Sequence, residues 1–270
     1  MDWNAYLDLY CERLAPGLWG EPLNALSNGA FWLAALWLWW LGARLRSQAR
    51  QTGGSHPATH SADTATPTPL WHWELDLLLV LLVLVGAASA LFHTFATRWA
   101  VVLDAGFIAL YLHSYVAVYA HRVMHIRWRW AWLGVPVFFA LNQFFSWLWD
   151  AAAPALGALI QSLSGQDATA WNRGATGYLA AWTVLLLLAA HSSKPSAGGV
   201  LASKVSPAVA VPLWCAAGVF LISLTLRQLD LPLCSQWRWG THFAWHLLNA
   251  LTLGLTAYAL LQTQRRVDTR

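Results

Sequence analysis

The chain reads as an all-α integral membrane protein, a single bundle of seven transmembrane helices formed from residues 1–270. Three observations predict this. Hydrophobic residues make up 58% of the sequence and charged residues only 10%, with a mean hydropathy of +0.45 and 20 tryptophans in 270 positions. Apolar runs of about 18 to 22 residues recur along the chain, each long enough to cross a hydrocarbon core of roughly 30 Å. The runs are continuous Leu/Ala/Val/Trp stretches without the two-residue alternation of barrel strands, so their backbone groups must be satisfied within helices.

Residues 1–24 precede the first run, carry tryptophan and acidic side chains, and have no basic n-region, which argues against a cleaved signal peptide. The seven runs cover approximately 25–42, 75–94, 100–119, 130–148, 173–191, 206–226 and 241–262. Residues 47–69, rich in Ser, Thr, Ala, Pro and His, read as a flexible cytoplasmic loop between the first two. The second and third are joined by a tight turn around Thr97 and Arg98. Asp150 to Gly165 is short and interrupted by Pro154 and Gly157, and is expected at the outer interface as an amphipathic or re-entrant piece.

Orientation follows from the cations, which gather in cytoplasmic loops. With the N-terminus outside and the C-terminus cytoplasmic, eleven of the sixteen lysines and arginines fall inside; Arg13, Arg98, Arg173, Arg227 and Arg238 fall outside. Seven crossings give the same result. The net charge of +4 and pI near 9.2 then reflect this bias, and no basic stripe with interleaved aromatics points to nucleic acid. Trp37, Trp39, Trp40, Trp128, Trp130, Trp132, Trp147, Trp149, Trp237 and Trp239 fall near expected interfaces, as aromatic belts do.

Depth separates the histidines. His56/His60, His121/His125 and His242/His246 all have the spacing that puts two rings on one helix face. The first pair lies in the low-complexity loop around Pro57, and the second reads as a solvated basic helix end beside Arg122 and Arg127. The third enters the seventh run among Phe243, Trp245 and Leu247. His93 near the outer end of the second run, Ser89 one turn deeper, and Asp104 at the start of the third fall in the same leaflet. Polar groups at that depth either bond helices together or form a site.

If the seventh run approaches the second and third, His93, His242 and His246 supply three imidazoles and leave a fourth position open, as in a catalytic zinc site. Such an ion activates water, and Asp104 is the carboxylate placed to take and return its proton. Ser89 either donates to a developing oxyanion or bonds back to a helix carbonyl.

The segments Ser89-Ala-Leu-Phe-His93, the downstream Asp104 and Thr241-His242-Phe-Ala-Trp-His246 resemble the motifs of the alkaline ceramidase family, within a group of heptahelical metal hydrolases that includes adiponectin-receptor-like proteins. Tyr10-Cys11-Glu12 and Glu21-Pro-Leu-Asn24-Ala-Leu-Ser27-Asn28 resemble the ceramidase branch. The resemblance implies a zinc-dependent amidase that hydrolyses the N-acyl bond of ceramide-like lipids. It assigns zinc to His93, His242 and His246, acid/base chemistry to Asp104 and oxyanion stabilisation to Ser89. It also implies a calcium site before the first helix, for which Asp8, Glu12 and Glu21 are candidates; the same acids equally suit a helix N-terminus. Arg13 departs from the family pattern. Cys11 and Cys234 lie on the expected outer side, where an oxidising compartment permits a disulfide, and the resemblance at Cys11 favours it. Two other function classes stay open: a lipid-sensing receptor-like protein that keeps zinc without turnover, and a haem or proton-relay protein.

Overall fold

The computed structural model describes residues 2–53, 73–164, 176–193 and 207–263. Among these residues the protein is all-helical apart from one isolated antiparallel bridge, Tyr6 to Thr97. The helices are α1 (Pro22–Ser27), α2 (Gly29–Gly53), α3 (Trp73–Phe95), α4 (Arg98–Arg122), α5 (Trp128–Ala131), α6 (Gly134–Ser164), α7 (Thr176–Ser193), α8 (Pro207–Leu229) and α9 (His242–Gln262).

Five helical stretches are long and apolar enough to cross a membrane: Trp73–Phe95, Arg98–Arg122, Trp128–Leu159, Pro207–Leu229 and His242–Gln262. Gly177–Ser193 is a shorter apolar helix. In α2 four tryptophans and the pair Arg44 and Arg46 dilute the aliphatic content. The outward faces are apolar as well, with Leu33, Leu36, Val80, Val102, Phe139 and Ile222 exposed. The chain therefore has the make-up of a helical membrane protein.

Three sequence expectations change. The first apolar run is broken: α1 starts on Pro22, whose fixed φ suits a first helical position, and gives way at Asn28 to α2. Helix α2 extends through Ser47 to Gly53, so only residues 54–69 of the expected loop fall outside the described residues. Asp150 to Ser164 is the continuation of α6 rather than a separate piece. Its alanines and leucines favour helix strongly enough to carry Pro154 and Gly157.

Helix α9 is the centre of the molecule, packing on α8, α2, α1, α3 and α4. Its buried face runs through Trp245, Ala250, Leu253, Ala257 and Leu260. Against it α3 contributes Leu78, Leu82 and Val85, and α8 contributes Leu213, Ala216 and Phe220. Gly86 lets α2 and α3 approach closely, since a Cβ there would stand 2.9 Å from Phe31 Cβ.

The α3–α4 connection is as tight as its sequence implies: Ala96 takes a left-handed φ of 50° and Thr97 is the N-cap of α4. The extended N-terminal segment runs beside this turn. Trp99 N donates to Trp3 O at 3.1 Å and Arg98 N to Ala5 O at 3.3 Å, satisfying the first amides of α4.

Candidate metal centre

His242 and His246 occupy the first two turns of α9, and the central position of that helix carries both to His93 near the end of α3. All three are buried, at 1%, 2% and 1% exposure. Their ring centroids are 4.6 Å (His242–His246), 4.7 Å (His93–His246) and 5.1 Å (His93–His242) apart. One nitrogen from each lies within 4.8 Å of the others, and among the described residues this is the one group of three or more such side chains that could hold a metal ion.

The arrangement fits a metal by its unsatisfied atoms. His93 Nε2 and His242 Nδ1 are buried without a hydrogen-bond partner, a costly condition that coordination relieves. On His93 and His246 the Nδ1 atoms are engaged. His93 Nδ1 meets Glu21 Oε2, and His246 Nδ1 lies 2.7 Å from Ser27 Oγ. Outer partners of this kind fix the tautomer and orientation of ligating imidazoles. Both come from the ends of α1, the short helix that the sequence reading merged into the first span.

Glu21 is committed on every side: Oε1 pairs with Arg13 Nε, and Oε2 also accepts from Asn24 Nδ2 at 2.9 Å. Burial pushes its carboxyl above the ordinary carboxylate range, against the pull of Asn24 and Arg13. Glu12 accepts from the N–H groups of Leu23 and Asn24 at 2.7 and 2.8 Å and so caps α1. Burial also raises its carboxyl. Asp8 is exposed. The expected calcium set of Asp8, Glu12 and Glu21 is therefore not gathered into one group: one acid caps a helix and another neutralises Arg13. Arg13 also donates to His93 O at 2.8 Å and Ala15 O at 3.0 Å.

Cys11 and Cys234 form a disulfide, tying the N-terminal segment to the α8–α9 loop. Asp230 reinforces it: Oδ2 accepts from Cys11 N at 2.9 Å, while Oδ1 accepts from Thr241 N at 2.7 Å and His242 N at 2.9 Å. The start of α9 is thus capped by a residue twelve positions upstream of His242. Gly240, at φ 61°, is required there, because a Cβ would fall 2.1 Å from Asp230 Oδ1.

His242 and His246 line a cavity that opens in part to the surface. Ser89 and Asp104 line it too, with Ser89 in hydrogen-bonding reach of the Asp104 carboxylate. Asp104 Oδ1 is buried without a partner. Most of the remaining wall is apolar or aromatic, including Phe31, Val85, Ile108, Leu112, Leu185 and Phe220. Trp245 is part of it and packs edge-on against Tyr178 at 5.0 Å. Tyr10 stacks on His242 with centroids 3.7 Å apart.

Among the described residues, His121 and His125 belong to no such group. His121 stacks on Trp128 at 4.5 Å and His125 has a left-handed φ of 57°, off the helix. His56 and His60 lie outside the described residues. Sequence reasoning missed the roles of Glu21, Ser27, Tyr10, Asp230 and Arg227. Arg227 had a usable signal, since a charged residue directly at the end of an apolar run invites the argument applied to the histidines.

No family model, curated protein or solved structure matches the chain.

Proposed function

We propose that the protein is a zinc-dependent intramembrane amidase acting on ceramide-like N-acyl lipids, releasing a fatty acid and a sphingoid base. The observation that carries this reading is the shared cavity: two of three convergent buried imidazoles, a carboxylate and a hydroxyl line one apolar chamber. Most of its wall is apolar, as an acyl chain requires. The resemblance of the His93, Asp104 and His242/His246 segments to alkaline ceramidases supports the choice of substrate. In this reading all seven long helices cross the bilayer, with the N-terminus outside, the C-terminus cytoplasmic and the site in the outer leaflet. The uneven distribution of lysine and arginine supports that orientation.

His93, His242 and His246 would hold the zinc, whose chemistry is to polarise a carbonyl and lower the pKa of water to near 7. Asp104 takes the proton released as water attacks the amide carbon and returns it to the departing nitrogen. Ser89 donates its hydroxyl to the carbonyl oxygen as negative charge builds there. Glu21 and Ser27 hold two of the imidazoles in orientation, while Tyr10 and Trp245 wall the reacting end.

The test combines metal analysis with incubation on several N-acyl lipids and measurement of released fatty acid. Wild type should carry one zinc per chain and His246→Ala none. Asp104→Asn should keep its zinc and lose about 10²–10⁴-fold in turnover. Undiminished turnover in Asp104→Asn, or no hydrolysis of any ceramide or N-acyl amino lipid, refutes the proposal.

A further inference from the structure

The cavity holds one group that hydrolysis of a neutral ceramide does not use. Arg227, in the last turn of α8, lines it together with Asp104, His242 and His246. Its guanidinium carbon is 5.0 Å from the Trp245 ring centroid, 5.3 Å from Tyr178 and 5.8 Å from Tyr10, a cage of aromatic faces. Nη1 makes a long bond of 3.4 Å to Tyr10 Oη, and Nε is buried without a partner.

The comparison with Arg13 is informative because both arginines are enclosed by the same protein. Arg13 has a carboxylate and two carbonyls around it. Arg227 makes no direct ion pair among the described residues; the counter-charge acting on it is the Asp104 carboxylate, which lines the same cavity. Arginine keeps its charge at any physiological pH, so a cation without a direct partner in a largely apolar chamber favours contact with an anion. A guanidinium presents a planar fork whose geometry suits a carboxylate.

We infer that Arg227 is an anion-binding residue that receives the carboxylate of an acyl-chain amphiphile within the cavity. Two molecules share that chemistry: the head group of an N-acyl amino acid and the fatty acid that amide hydrolysis releases. The apolar wall takes the acyl chain of either one, and the aromatic cage excludes water from the ion pair. This rests on the amidase reading only for what enters the chamber, because binding at Arg227 needs neither zinc nor turnover.

The experiment uses the full chain in detergent micelles, stripped of metal by a chelator, and measures dissociation constants for oleate, N-oleoylglycine and neutral oleyl alcohol. Stripping removes both hydrolysis and carboxylate binding by metal, and oleate has no amide bond, so this test and the amidase assay can fail independently. At least one carboxylate ligand should bind wild type about tenfold or more tighter than the alcohol. Arg227→Gln should lose that preference with its affinity for the alcohol unchanged. Should Arg227→Gln fail to fold, Arg227→Lys, which keeps the charge without the fork, should weaken the preference. A preference larger for N-oleoylglycine places the recognised carboxylate on the head group; one larger for oleate places it on the released acid. Equal binding of acids and alcohol by metal-free wild type, or an undiminished preference in the variant, overturns the inference.

Discussion

Replacing Glu21 by Gln separates two jobs that one carboxylate performs. Glu21 is 1% exposed and uses both oxygens, Oε1 toward Arg13 and Oε2 toward His93 and Asn24. A glutamine of the same shape offers one acceptor oxygen and one donor amide, so either Arg13 or His93 is left facing a donor. Stranding Arg13 without its counter-charge costs about 3–5 kcal/mol of fold stability. Losing the carboxylate behind His93 lowers zinc affinity by roughly 10–100-fold, about 1.4–2.7 kcal/mol. The stability term is the larger and would mask the other in Glu21→Gln alone. The double variant Arg13→Gln/Glu21→Gln removes both charges, so it should recover most of the stability while its zinc affinity stays low. Thermal unfolding of the metal-free protein in detergent reads the first term, and competition with a chromophoric chelator reads the second. Zinc affinity within twofold of wild type in the double variant would refute the supporting role given to Glu21.

Ser27→Ala removes the 2.7 Å partner of His246 Nδ1 and should weaken zinc about tenfold, while its stability falls by only about 1 kcal/mol; an unchanged chelator titration counts against that contact. The disulfide joins cysteines 223 positions apart, and closing so long a loop stabilises the fold by at most about 5 kcal/mol. Reductant should therefore lower the unfolding temperature of wild type and leave Cys11→Ser/Cys234→Ser unmoved; equal shifts in both exclude the bridge as the cause. Burial raises the Glu12 carboxyl above its usual 4.5, so the folded state holds this proton more tightly than the unfolded one. Stability from this group is full below pH 4.5 and is lost as pH rises through the raised value. Glu12→Gln should flatten that part of the curve measured by thermal unfolding across pH, and an unaltered slope would assign it elsewhere.

Helical class, the positions of the long apolar helices and the tight α3–α4 turn were legible because hydropathy and length are local properties of the chain. Asp150 to Ser164 was misread because interruption by Pro and Gly was weighed above the helix preference of its alanines and leucines. The three imidazoles were identifiable because an apolar run makes polar rings conspicuous. Their supports were not. Glu21 and Glu12 lie in a polar segment where acids are unremarkable, and only the packing of α1 against α3 and α9 distinguishes an imidazole partner from a helix cap.

The sequence by itself determined the helical class and the inventory of chemical groups, because burying apolar surface leaves little choice of which segments become helices. Tertiary structure decided which groups meet. The central position of α9 brings His242 and His246 to His93, and the disulfide with Asp230 draws the N-terminal segment over them. Arg227, one outer charge among five in the sequence, becomes a cation lining the same cavity as Asp104. The physical reason is range: helix formation follows from neighbours three and four residues apart, whereas the candidate metal centre depends on packing between distant segments, with Ser27 meeting His246 across 219 positions.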